Sequence, residues 1–249
     1  MRRRFIRFLL YGFLVVALLV AIAAWYLDPY RPNADAMSAM RDGDGVRVVE
    51  RAGLIIFEGG ESSPPGMIFY PGSLVGPESY APLARLMALS GHRTVIVKMP
   101  LNLAATGEDR AEDVLKAYPE EPFVIGGHSL GGVVASRYAA LHPEKFMGVF
   151  LLAAYPDQRG NLADKALPVL SLIGSRDGVV NQEEYEKARQ YLPPNTDLLT
   201  IAGGNHAQFG SYGPQKGDQP AVISAEDQWQ QTASVLKEWM KSTVSGLGR

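Results

Sequence analysis

The sequence contains no cysteine. That excludes disulfides, thiolate zinc sites and a cysteine nucleophile together. It leaves the compartment open, because a thiol-free chain tolerates oxidising and reducing surroundings alike. Charge of one sign is also scarce: 24 Lys and Arg against 26 Asp and Glu leave a formal net charge of −2 over 249 residues. Beyond the first residues there is no basic stripe with interleaved aromatics, so no nucleic-acid partner is expected. Internal repeats and low-complexity segments are missing too. With only four histidines, any imidazole-based chemistry has few places to sit. The length suits one domain with a sizeable core plus an appendage.

The appendage is at the front. Arg2, Arg3, Arg4 and Arg7 precede an uncharged apolar run from Phe8 to Leu27. About 20 such residues span a bilayer as a helix. Trp25 and Tyr26 stand where interfacial aromatics collect, and Asp28-Pro29 stops the run. The arginines are expected to stay cytoplasmic, which sends the rest of the chain to the extracytoplasmic side. The alternative is a cleaved signal peptide with Ala21-Ile22-Ala23 as its A-x-A site and a secreted product. Residues 1–28 are therefore expected to form a single-pass signal-anchor, 29–45 a stalk with one helical turn around Ala36 to Met40, and 46–249 the body.

In the body, apolar runs alternate with helical patterns. Val46–Glu50 and Leu54–Phe57 read as an edge hairpin. Strands follow at Met67–Tyr70, Thr94–Lys98, Phe123–Ile125, Phe150–Ala153, Val169–Ile173 and Leu198–Ile201. Helices are expected at Tyr80–Leu89, Asp109–Tyr118, after Ser129, at Glu183–Tyr191 and at about Ala225–Met240. Such alternation predicts an α/β fold, a mostly parallel twisted sheet with helices on both faces. Ligands bind beyond the carboxyl ends of such strands.

One junction stands out. Phe123-Val124-Ile125 runs into Gly126-Gly127-His128-Ser129-Leu130-Gly131-Gly132, and a helical pattern starts at once. A strand entering a helix without a linker puts its tip residue in strained backbone, and the small neighbours Gly127 and Gly131 let the chains pass. The Ser129 hydroxyl then stands at the helix N-terminus, where a forming anion is favoured. A dinucleotide loop needs glycine where Ser129 stands, and a P-loop needs a Lys-Ser/Thr ending that is missing.

A serine nucleophile needs an imidazole base, and that base needs an orienting carboxylate. His92 and His142 fall at the opposite edge of the sheet. His128 abuts Ser129 and points away from its neighbour's hydroxyl. His206 leaves strand Leu198–Ile201 at the productive edge and is the candidate base. Asp177, just beyond strand Val169–Ile173, is the candidate acid, with Asp157 and Asp164 as fallbacks. Oxyanion donors are expected from the backbone N–H of Leu130 and of Ser73, with Leu74 as the alternative donor. Candidate pocket-lining residues are Leu74, His128, Phe209 and Tyr212. Gln208 and Phe209 are equally open to a supporting role and to plain loop packing.

Together, Gly127-His128-Ser129-Leu130-Gly131, Asp177 and His206, in the chain order Ser, Asp, His, resemble the α/β-hydrolase fold superfamily over about Val46 to Met240. Tyr70-Pro71-Gly72-Ser73-Leu74-Val75 and Gly203-Gly204-Asn205-His206-Ala207-Gln208-Phe209-Gly210 look like a membrane-tethered hydrolase branch of undefined substrate. Pro71 departs from the His-Gly pair of many members. The resemblance implies acyl transfer from a small-molecule ester to water through a serine ester, with no cofactor and no metal. The short link Tyr155–Leu167 implies an open site without a large lid. Two other readings share the same residues: a non-catalytic tethered binding protein, and an acyltransferase or thioesterase.

Overall fold

The computed structural model describes residues 10–19, 21 and 28–246. The arginine cluster, Trp25, Tyr26 and much of the expected anchor lie outside the described residues. Leu10 to Leu19 is helical and its apolar side chains are exposed. Among the described residues, no helix is long and apolar enough to cross a membrane.

The body is built on one mixed sheet of eight strands: β1 (Arg47–Arg51), β2 (Leu54–Glu58), β3 (Gly66–Tyr70), β4 (Thr94–Val97), β5 (Phe123–His128), β6 (Val149–Leu152), β7 (Val169–Gly174) and β8 (Asp197–Ile201). Their spatial order is β1-β2-β4-β3-β5-β6-β7-β8. β2 pairs antiparallel with both β1 and β4, and every other pairing is parallel. The helices of the body and the segment before it are α1 (Ala34–Ala39), α2 (Ala81–Leu89), α3 (Ala111–Ala117), α4 (Leu130–Leu141), α5 (Gln182–Ala188) and α6 (Ala225–Gly246).

Side chains alternate across a strand, so each strand feeds two cores. Met67, Phe69, Val124, Phe150 and Leu170 join α2 and α6 in one apolar cluster. Ile68, Tyr70, Ile125, Leu151 and Val169 join α3 and α4 in the other. Met67, Ile68 and Phe69 are at most 1% exposed, and burying each side chain stabilises the fold by about 1.5–3 kcal/mol. Central strands sealed on both faces read as continuous apolar runs for this reason. The edge strands β1 and β8 are largely exposed.

The segment expected as a stalk is packed against the body instead. The Tyr30 N–H donates to the Leu74 carbonyl at 2.7 Å, and the Gly76 N–H donates to the Tyr30 carbonyl at 2.9 Å. Asn33 caps α1, accepts from the Ser211 hydroxyl and donates its N–H to the Ser211 carbonyl. Arg85 of α2 donates to the carbonyls of Ala39 and Arg41. Ala36 is fully buried, and Tyr30, Ala39 and Met40 pack against the core, a short apolar face on one helical turn that the sequence reading left on a stalk. Between β6 and β7 the chain makes one 3-10 turn, Gln158–Gly160, and no α-helix.

Candidate active site

β5 runs into α4 at Ser129, which has φ 52° and ψ −129°. This is costly backbone for a residue with a side chain, and it persists only where its surroundings hold it. The Ser129 N–H is held by the Leu152 carbonyl at 2.9 Å. Glycine is required on both sides. A Cβ at Gly127 would lie 2.2 Å from the Tyr70 carbonyl oxygen, and one at Gly131 would lie 2.1 Å from the same atom. The end of β3 thus presses directly on the elbow. Ser129 is half-buried, within reach of solvent.

His206 and Asp177 meet, although 29 residues separate them in sequence. His206 Nδ1 lies 2.9 Å from Asp177 Oδ2, and their side chains are 1% and 0% exposed. The other carboxylate oxygen, Oδ1, accepts the N–H groups of Val179 and Val180 at 2.9 and 2.8 Å. A carboxylate only accepts at neutral pH, so the imidazole carries its proton on Nδ1. Nε2 is left as a buried lone pair with no partner. The His206 ring packs on that of His128, with centroids 4.5 Å apart, next door to Ser129. No hydrogen bond joins His206 to Ser129.

Of the fallback acids, Asp157 is taken by Arg137 Nε at 3.0 Å and by the Gly160 N–H. Neither it nor Asp164 bonds to His206. His92 lies at the opposite edge, on the Pro65 carbonyl. His142 rests against the Tyr138 ring.

The loop after β3 shows which amides are available. The Gly72 N–H donates to the Tyr80 hydroxyl at 2.9 Å, the Leu74 N–H to the Asn102 carbonyl at 2.8 Å, and the Val75 N–H to the Gly72 carbonyl. The Ser73 N–H takes no partner among the described residues. Leu74, at φ 55°, has its amide engaged. The Leu130 N–H opens α4 and has no carbonyl a turn earlier to bond.

Two aromatic side chains brace this loop. Tyr80 lies 2.9 Å from His128 Nδ1. The Tyr80 oxygen also accepts the Gly72 N–H, so one phenol links the loop to His128. Both residues are buried. Burial pushes the His128 imidazole well below its ordinary value, and any positive charge gained by the neighbouring His206 acts the same way. Burial also holds the Tyr80 phenol protonated. Phe209 is buried beside His128, with ring centroids 5.8 Å apart. Tyr212 packs on Tyr30 at 5.5 Å and donates to Gln215.

Sequence reasoning missed Tyr80, Asp218 and Gln228. Asp218 Oδ1 accepts the Gly178 N–H at 3.0 Å, and its Oδ2 accepts the Ala207 N–H at 2.8 Å. One carboxylate thus ties the residue after Asp177 to the residue after His206. Gln228, fully buried on α6, grips both the N–H and the carbonyl of Asn205, just before His206. The Gly217-Asp218 pair carried only a turn signature, and Gln228 looked like one more polar position on an amphipathic helix. A cavity of about 340 Å³ lies behind this loop, lined by Asn205, Gln208, Asp218 and Trp229.

Among curated proteins none matches the sequence. Several solved structures share the fold. An α/β-hydrolase enzyme from the metagenome of sediments of the Mar Chica lagoon, Morocco, is 15% identical, with TM-score 0.59, covering 79% of this chain and 98% of that one. A membrane phospholipase A described as a bacterial virulence factor is 15% identical, with TM-score 0.60, covering 98% of this chain and 99% of that one. An esterase from Mycobacterium tuberculosis is 14% identical, with TM-score 0.55, covering 82% of this chain and 95% of that one. At such identities the likeness is one of fold. The sequence model of the alpha/beta hydrolase family matches residues 66–230, from the start of β3 into α6, and this chain is a member of that family.

Proposed function

We propose that this protein is an esterase-like serine hydrolase that cleaves an acyl ester through Ser129, His206 and Asp177. The observation that carries the reading is the His206 imidazole, held through Nδ1 by a buried carboxylate, with Nε2 left unpaired at the sheet edge where Ser129 sits in strained backbone. The names of structural neighbours, among them an esterase and a phospholipase A, fit ester hydrolysis.

In this reading Ser129 Oγ attacks the acyl carbon while its proton passes to His206 Nε2. Asp177 keeps the tautomer and stabilises the imidazolium. The carbonyl oxygen becomes an oxyanion facing the N–H groups of Ser73 and Leu130. The tetrahedral species collapses, and the leaving alcohol takes the proton from Nε2. Water then gives its proton to His206, attacks the Ser129 ester, and releases the acid with the serine restored. No cofactor takes part in these steps. Residues 8–27 serve as the membrane anchor, and the body stands on the extracytoplasmic side.

Ser129→Ala removes the nucleophile and leaves the fold. Hydrolysis of a short-chain aryl acetate by that variant is expected to fall by about 10⁴- to 10⁶-fold in kcat with an unchanged unfolding midpoint. Undiminished turnover would refute the assignment.

A further inference from the structure

The point where the N-terminal segment joins the body is also the rim of the site. Leu27, the last residue of the apolar run, is three residues from Tyr30. Three residues reach at most about 11 Å even when fully extended. Tyr30 is clamped: its N–H to Leu74, its carbonyl to Gly76, its hydroxyl to the Lys216 N–H at 3.2 Å and its ring to Tyr212. Leu74 and Gly76 flank the turn that follows Ser73. The loop proposed to hold the oxyanion is therefore tethered within about 11 Å of wherever the apolar run ends.

The surface at this rim suits a lipid headgroup region. Leu101 is 70% exposed at φ 53°, beside Asn102, whose carbonyl holds the Leu74 N–H. A leucine in left-handed backbone costs about 1 kcal/mol or more, so the loop keeps this side chain outward against a local preference. Lys216, whose N–H donates to the Tyr30 hydroxyl, is exposed, as is Arg31, which pairs with Asp28 at 3.4 Å. An exposed apolar side chain and an exposed lysine, both on loops that touch the Tyr30 and Leu74 contact, are what a protein surface offers to an interface of acyl chains and anionic headgroups.

We infer that the mouth of the site faces the bilayer that holds residues 8–27, and that its substrate is an acyl ester carried by a lipid of that leaflet. This rests on the serine-hydrolase and anchor readings for its chemistry and its tether. Leu141 marks the opposite side. It is 64% exposed at the end of α4, the helix that starts at Ser129 and leads away from the rim.

The absence of cysteine makes the test clean. Leu101→Cys and Leu141→Cys, each in the full chain, are labelled with an environment-sensitive fluorophore. The proteins are then placed in vesicles of phosphatidylethanolamine and phosphatidylglycerol bearing a shallow nitroxide quencher. Quenching is expected at 101 and not at 141. In parallel, a flexible insertion of about ten residues between Pro29 and Tyr30 frees the body from the surface. It is expected to lower vesicle lipid hydrolysis about tenfold while leaving aryl acetate hydrolysis unchanged. Equal quenching at both sites, or lipid hydrolysis indifferent to the insertion, would overturn the inference, as would aryl acetate cleavage without any lipid cleavage. Failure of the underlying chemistry looks different: selective quenching at 101 would persist, and neither ester would be cleaved.

Discussion

Asp218 and His128 touch the machinery through its neighbours, and each leaves a separate signature. Asp218 uses its two oxygens on different loops, Oδ1 on Gly178 and Oδ2 on Ala207. Asp218→Asn keeps one acceptor and turns an amide NH₂ toward the other N–H. Losing a hydrogen bond to a charged group in this way costs about 1–3 kcal/mol. The imidazole and its carboxylate are expected to drift apart, lowering kcat by about tenfold with little change in KM. Steady-state kinetics beside thermal unfolding checks this, and a loss of stability with kcat intact would make Asp218 merely structural. His128 acts on stability instead. Its folded-state value lies well below the ordinary 6.5, so below that pH the unfolded chain binds a proton that the native state refuses. Stability must therefore fall as pH drops from 6.5, by up to about 1.4 kcal/mol per pH unit from this one group. Urea unfolding at pH 7 and pH 5 is expected to show the drop, and His128→Gln is expected to shrink it. Carboxylates contribute to both proteins alike and cancel in the comparison.

Elements were legible where one physical signal dominates. The apolar runs of β3, β5, β6 and β7 are sealed on both faces, and glycines at a strand-to-helix junction leave little freedom, so the elbow could be placed to the residue. Boundaries shifted where no cap marks them. α6 runs on to Gly246, past the expected Met240, and α3 covers only Ala111–Ala117 of the expected Asp109–Tyr118. The helix expected over Tyr80–Leu89 starts at Ala81, and Tyr80 closes the 3-10 turn before it. Nothing local tells Tyr80 that its hydroxyl will serve Gly72 and His128, since those partners arrive from other strands. The contact between β3 and α4 makes a prediction at this scale. Gly131→Ala would place a methyl 2.1 Å from the Tyr70 carbonyl oxygen and 2.3 Å from that of Pro71. Backbone must move, at an expected cost of about 1–3 kcal/mol or more. Because the displaced strand end leads into Gly72-Ser73, activity is expected to fall further than stability alone explains. Denaturant unfolding with parallel kinetics on the folded fraction measures both.

At the scale of the whole molecule, the sequence supported a mostly parallel sheet with helices on both faces, the edge hairpin, and strand ends as the place to look for chemistry. It could not supply the strand order, because the pairing of β4 between β2 and β3 depends on crossovers rather than on composition. Nor could it show that residues 30–45 pack on the body, since the bonds of Tyr30 to the loop after β3 and of Asn33 to Ser211 are made by backbone and polar groups with no periodic pattern. Asp177 and His206 were placed by rank among strands, and their 2.9 Å contact fits that reasoning. The most direct test of the central claim is covalent: react the full chain with a fluorophosphonate and map the adduct by mass spectrometry. A single adduct on Ser129, formed at least about a thousandfold more slowly in His206→Ala, is the expected result. An adduct elsewhere, or labelling of Ser129 at the same rate without the imidazole, would contradict the account.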